Sequence, residues 1–112
     1  MLLDLAERLT VMDMLPNEDS LVMMKIMHNL RMDLAPTDDE VTLVNLRLEP
    51  IPGMPDRASY LWEKENEFPP IDVKMGVKAQ AAIVLLLEAL DTGKKIQPRH
   101  FTLCEKFGIG ED

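Results

Sequence analysis

Eight prolines spread over 112 residues rule out any long uninterrupted helix or strand in most of this chain. Proline removes a backbone donor and pushes the residue before it out of the helical region, so each one marks an edge. Pro16 and Pro36 bracket one helix-length segment. Pro50, Pro52 and Pro55 crowd around Gly53, Pro69-Pro70 forms a second break, and Pro98 opens the last segment. With 46% apolar and 29% charged residues, the pieces have ordinary globular composition, and one compact domain over residues 1–112 is expected.

Between the breaks the apolar spacing is mostly helical. Leu2, Leu5, Leu9 and Met12 place one stripe on a first helix that Leu15-Pro16 ends. Asn17, Asp19 and Ser20 offer caps for a second, running to about Leu34, with Met23, Ile26, Met27, Leu30 and Leu34 on its core face. Thr37-Asp38-Asp39-Glu40 has the capping-box pattern and predicts a brief third helix. The alternation from Leu46 to Pro50 predicts a half-buried strand, Pro50 to Asp56 a loop, and Ser59 to Glu65 a strand with Tyr60 and Trp62 on one face. Ile71 to Met75 alternates again and predicts a short third strand. Val77 to Leu90 is apolar nearly all round, which predicts a helix covered on every side and stopped by a left-handed Gly93. Pro98 starts a last helix carrying Phe101, Leu103, Cys104 and Phe107, with Gly108 and Gly110 beyond it. The expected fold class is α+β: an N-terminal helical pair, a small antiparallel hairpin or sheet, and two C-terminal helices with a buried central helix.

Charge then narrows the partners. Twenty Asp and Glu against twelve Lys and Arg give a net charge of −8, which opposes binding to phosphate backbones and to anionic membranes and favours a basic protein surface. The longest apolar run, Ala81 to Leu87, is too short to span a bilayer. MLLDLAERL lacks a basic flank and reads as a helix rather than a signal peptide, and the single Cys104 has no internal partner. Cytoplasmic residence is the expectation.

No constellation of residues points to chemistry. His100 and Cys104, four apart, supply two of the four ligands zinc needs, and His28 has no partner at ligand spacing. A solvent-exposed His100 and a core-packed Cys104 are expected, with no metal and no cofactor. Ser20 and Ser59 are not in a nucleophile turn, and no phosphate-binding or dinucleotide fingerprint is present, so an enzyme is not expected. Asp38, Asp39 and Glu40 lack the alternation and glycine of a calcium loop and read as a solvated helix start. Contact residues are more legible. Met24 and Met32 fall off the core stripe of the second helix, where flexible thioethers suit a partner groove or a dimer seam. Trp62 is a candidate anchor, its acidic neighbours arguing against a base-stacking platform.

The spaced pattern Glu7-Arg8-Leu9, Leu15-Pro16, Lys25-Ile26, Leu30-Arg31, Trp62, Gly76, Leu87, Leu90, His100, Leu103 and Glu105-Lys106-Phe107 resembles a group of small tailed-bacteriophage proteins. Cys104 stands where that group usually has tyrosine, and the loop from Pro50 to Arg57 is richer in proline. The resemblance implies a phage origin and assigns no activity and no functional residue. Together these readings predict a non-enzymatic protein-binding module that engages a host protein or takes part in virion assembly, in the host cytoplasm or in the virion. Its contact residues are Met24, Met32, Asp38, Asp39, Glu40 and Trp62, and self-association is an alternative mode of contact. Two further readings stand behind it. One is an acidic DNA mimic that inhibits a host nucleic-acid enzyme, which requires a continuous carboxylate face. The other is a winged-helix-like nucleic-acid binder, for which Lys25, His28 and Arg31 make a poor recognition helix.

Overall fold

A computed structural model describes residues 1–63 and 69–110, apart from the side chain of Pro55. The chain has the α+β architecture the spacing predicts, and it divides into two compact units. The first unit combines residues 1–35 with the segment from Pro70 onward, and the second comprises residues 36–69.

The first unit holds β1 (Leu2–Leu3), α1 (Leu5–Met14), α2 (Leu21–Leu34), β4 (Ile71–Asp72), α4 (Val77–Thr92), a 3-10 turn (Pro98–His100) and α5 (Phe101–Phe107). β1 and β4 pair antiparallel, Leu2 opposite Asp72 and Leu3 opposite Ile71. Leu2 therefore leaves the helical stripe assigned to it. Asp4 begins α1 one residue before Leu5, its carboxylate accepting from the Glu7 amide at 2.8 Å while Glu7 Oε1 accepts from the Asp4 amide at 3.1 Å. That reciprocal box fixes the start of α1, and the two residues ahead of it are free to pair as a strand. Of the three candidate caps it is Ser20 that starts α2, its hydroxyl accepting from the Met23 amide at 3.2 Å. Met27, Leu30 and Leu34 are buried in the core with Leu3, Val11, Leu15, Val73, Ala79, Ala82, Ile83, Leu87 and Leu103. Met23 and Ile26 pack against its edge.

The enclosed helix is α1 rather than α4. Leu5, Glu7, Arg8, Leu9, Thr10 and Val11 are all buried, and at 100° per residue these six positions surround the helix. α4 buries only Ala79, Ala82, Ile83 and Leu87, and Val77 and Leu85 stand 86% and 67% exposed on its other side. The expected burial of Val77 to Leu90 on all sides is thus corrected to burial on one face. Apolar content alone misleads here, because polar residues with partners close at hand can be buried in α1 while apolar ones are left uncovered in α4. The stop of α4 is also corrected: Gly93 has φ −79°, and the left-handed residue is Lys94 at φ 57°. Gly108, at φ 70°, ends α5 in the left-handed conformation, its amide donating to the Cys104 and Glu105 carbonyls.

The second unit contains α3 (Asp38–Val44), β2 (Arg47–Ile51) and β3 (Met54–Leu61). Thr37 and Glu40 form the predicted capping box, Thr37 Oγ1 accepting from the Glu40 amide at 3.1 Å and Glu40 Oε1 from the Thr37 amide at 3.1 Å. Asn45, left-handed at φ 53°, ends α3 and turns the chain into β2. β2 and β3 form an antiparallel hairpin with Arg47 opposite Leu61, Leu48 opposite Tyr60 and Glu49 opposite Ser59. The stretch Pro50 to Asp56, expected as a loop, is mostly hairpin. Ile51 faces Met54 across Pro52-Gly53, with Gly53 at φ 80°, a proline-then-glycine order suited to a type II turn. A register shift between Pro50 and Ile51 accommodates the crowded prolines, as bulges do near strand ends. The part of the expected strand at Lys64 and Glu65 lies outside the described residues.

Candidate functional site

Two groupings of side chains rise above the core, one polar and buried, the other apolar and exposed. The polar one ties together segments far apart in the chain. Lys106 on α5 donates to Glu7 Oε1 on α1 at 2.7 Å and to the Leu2 carbonyl at 2.7 Å. Burial pushes the Glu7 carboxyl up, but hydrogen bonds from Lys106, the Asp4 amide and Thr102, with the Lys106 charge, outweigh it and hold the group below the usual carboxylate range. Nearby in sequence terms, Arg31 on α2 donates to the carbonyls of Leu15 and Pro16 at 3.3 and 2.9 Å, satisfying acceptors just past the end of α1. Arg99 reaches Asp13 at 3.0 Å on an exposed path. The short motifs therefore pair off within the first unit, Glu7 with Lys106 and Leu15-Pro16 with Arg31. The sequence signal for this pairing was present in those charged helix ends, but nothing in their spacing names which charge pairs with which.

His100 was expected at the surface and is instead 1% exposed. Its Nδ1 accepts from the Gln97 amide at 2.9 Å, so the neutral ring carries its proton on Nε2, which is buried and has no hydrogen-bond partner. Burial lowers its pKa, the Arg99 charge adds to the drop, and Asp13 opposes it. Pro98 folds the 3-10 turn that carries the ring inward, which the helical spacing of α5 alone does not predict. Because the folded-state pKa lies below the unfolded one, the unfolded chain takes up a proton first on acidification. Stability is then expected to fall as pH drops below about 6.5, by at most about 1.4 kcal/mol per pH unit for this one site. Urea midpoints between pH 7.5 and about 5 check this, and a His100→Phe chain that keeps the same slope would refute it. Cys104 is half-buried against the core edge, its thiol pushed up by burial and then by Asp91, so the expected core packing is only partial.

The sequence-derived contact residues are distributed between the two units. Met24 and Met32 are on α2 in the first. Met32 is 66% exposed, and half-buried Met24 borders an open depression of about 380 Å³ with Lys25, His28 and Asn29. Asp38, Asp39, Glu40 and Trp62 belong to the second unit. Asp38 and Asp39 are exposed on the first turn of α3, where the helix dipole favours them. Glu40, expected beside them at the surface, is 4% exposed, because its carboxylate turns back to cap Thr37. Trp62 is half-buried just past β3, and the next amide, from Glu63, donates to the Val44 carbonyl at 2.7 Å. That bond joins the end of the hairpin to the end of α3.

The hairpin carries an exposed apolar surface that the local spacing does not reveal. Leu48, Met54, Tyr60 and Leu61 are all exposed on it. Leu48 and Tyr60 face each other in register, which puts two large apolar side chains on one face. The alternation at Leu46 to Pro50 suggested one covered face, and the structure covers neither side of β2, whose first four residues are all exposed. Among the described residues neither outer edge of the hairpin pairs with another strand. No described helix is long and apolar enough to cross a membrane. No family model, no curated protein and no solved structure matches the chain.

Proposed function

We propose that the chain is a non-enzymatic protein-binding module, phage-encoded, that engages a host protein or a virion protein through its second unit. The observation that carries the reading is the exposed hairpin. A two-stranded ribbon is marginal on its own in water, and this one displays Leu48, Met54, Tyr60 and Leu61 with free outer edges among the described residues. Such an arm suits an extended partner segment that adds a strand while its side chains meet Leu48 and Tyr60. The neighbouring Asp38 and Asp39 would steer a basic partner, chiefly through the association rate. The phage origin rests on the resemblance of the charged and proline-bearing motifs.

A photo-crosslinking residue placed at Tyr60 in the full chain tests this in bacterial lysate and in phage-infected cells, with the same residue at Lys94 as control. One discrete protein adduct is expected at Tyr60, lost in a Leu48→Asp chain. Asp38→Lys with Asp39→Lys is expected to slow formation of that adduct about tenfold at low salt and little at high salt. An adduct pattern identical at Tyr60 and Lys94, or one indifferent to Leu48→Asp, would sink the proposal.

A further inference from the structure

We propose that the outer edge of β3, not that of β2, is the docking edge, and that it takes an extended basic protein segment as an antiparallel third strand. The inference rests on the reading of the second unit as the contact surface, and adds the edge, the direction and the chemistry of the partner. Pro50 decides between the edges. It lies opposite Ala58 but has no N–H to exchange with it, so that pair is of the kind that shares no hydrogen bonds. Pair types alternate along an antiparallel ladder, so Leu48 and Tyr60, two residues on, form a pair of the same kind. The backbone polar groups of these four residues therefore point outward, away from the hairpin's own ladder. The edge of β3 offers a complete donor and acceptor at both Ala58 and Tyr60. That of β2 offers one such set at Leu48 and a carbonyl without a donor at Pro50. A proline so placed blunts an edge. Pro55, the one proline of β3, lies ahead of the Ala58–Tyr60 stretch, toward the turn.

The side chains say what kind of strand fits. Residues directly opposite one another share a face, so Leu48, Pro50, Ala58 and Tyr60 lie together on one side, all exposed. The other side carries Ser59, Leu61 and the ion pair of Arg47 with Glu49 at 2.9 Å. An incoming strand that alternates apolar and polar residues meets both. The unit is short of such cover. Val44 is the one buried apolar side chain among its described residues, while Val41, Leu43, Leu48, Met54, Tyr60 and Leu61 are exposed. A third strand supplies what a two-stranded ribbon lacks. Charge then selects the occupant. Residues 36–69 hold eight acidic and three basic residues, a net −5 of the chain's −8 in under a third of its length. Asp56 and Glu63, both exposed, flank the Ala58–Tyr60 stretch, with Arg57 the only cation between them. A second copy would bring another −5 against the first, so a basic segment fits where this chain does not.

Amide spectra of the isotope-labelled full chain, titrated at low salt with the capped peptide Lys-Thr-Thr-Val-Thr-Val-Thr-Lys, test the edge. The Ala58 and Tyr60 amides are expected to shift. Glutamate in place of both lysines is expected to weaken binding at least about tenfold. N-methylation of both valines, which removes the donors that face Ala58 and Tyr60, is expected to do the same. N-methylation of the threonine between them, whose amide faces away, is expected to cost less than about twofold. Ala58→Pro gives β3 the blunted edge of β2 while sparing the hairpin's own bonds, and is expected to weaken binding about tenfold. If that variant unfolds the hairpin, the methylated peptides still decide. Equal binding of the lysine and glutamate peptides would overturn the proposal, as would equal damage from the two methylations. Edge shifts on concentrating the chain alone would assign the edge to a second copy and overturn it as well. A peptide that never shifts these amides, beside a discrete Tyr60 adduct in lysate, would remove this inference and leave the binding-module reading standing. Loss of the adduct too would remove both.

Discussion

Leu87→Ala is expected to destabilise the first unit by about 3 kcal/mol, whereas Leu85→Ala, two residues away on the same helix, is expected to change stability by less than about 0.5 kcal/mol. Leu87 is fully buried in the core shared with Ile83, Leu34, Val11 and Leu103, so truncating it removes transfer free energy and leaves a cavity among rigid neighbours. Leu85 projects into solvent and loses little by truncation. Urea unfolding of both chains at dilute concentration, where self-association contributes nothing, measures the difference directly. Equal losses at the two positions would mean that α4 is enclosed all round, as its composition suggested.

Features set by neighbouring residues were legible in the sequence. Ser20 caps α2 and Thr37 with Glu40 caps α3 because each side chain satisfies an amide within three residues, so the pattern and the bond are the same thing. Met27, Leu30 and Leu34 are buried as their spacing predicts, since that face has only one core to meet. The errors gather where the deciding partner is remote. Leu2 leaves its helical stripe because Asp72, seventy residues away, supplies its strand partner. His100 turns inward because the Pro98 turn redirects the chain against α1, a packing that no local period encodes. The hairpin through Pro52-Gly53 was hidden by its prolines. Pro52 fits a turn position, and Pro50 and Pro55 sit around a register shift where ladder bonds are already broken. The exposure of Met32, Asp38 and Asp39 was legible from polarity and helix phase. The inward turn of Glu40 was implicit in its own capping box, which consumes the carboxylate that a surface reading would have used.

Removal of the Lys106 amine is the second large effect expected. Lys106→Met keeps the aliphatic stem but leaves the Glu7 carboxylate, 5% exposed, without its main positive partner, and empties the bond to the Leu2 carbonyl. A fully buried pair broken on one side costs about 3–5 kcal/mol. Lys106 is 34% exposed, so water screens part of the interaction and about 2–3 kcal/mol is expected. The pH dependence identifies the cause. In the native chain Glu7 has its pKa held below the ordinary glutamate value of about 4.5, so its contribution is present above that pH and lost as pH falls through the folded-state value. Without Lys106 the carboxyl loses both the hydrogen bond and the charge that this amine supplies, keeps only the Asp4 amide and Thr102 against the cost of burial, and its pKa rises relative to the native chain. Protonation then relieves a buried charge, and the gap in stability between the two chains should close as pH falls toward 4. A combined Glu7→Gln, Lys106→Met chain separates charge from packing, because glutamine can still accept from the Asp4 amide in the capping box. It is expected to be more stable than Lys106→Met alone at pH 7. If it were instead less stable than the native chain by the sum of both single losses, Glu7 and Lys106 would act independently and the link between α1 and α5 would be one of packing alone.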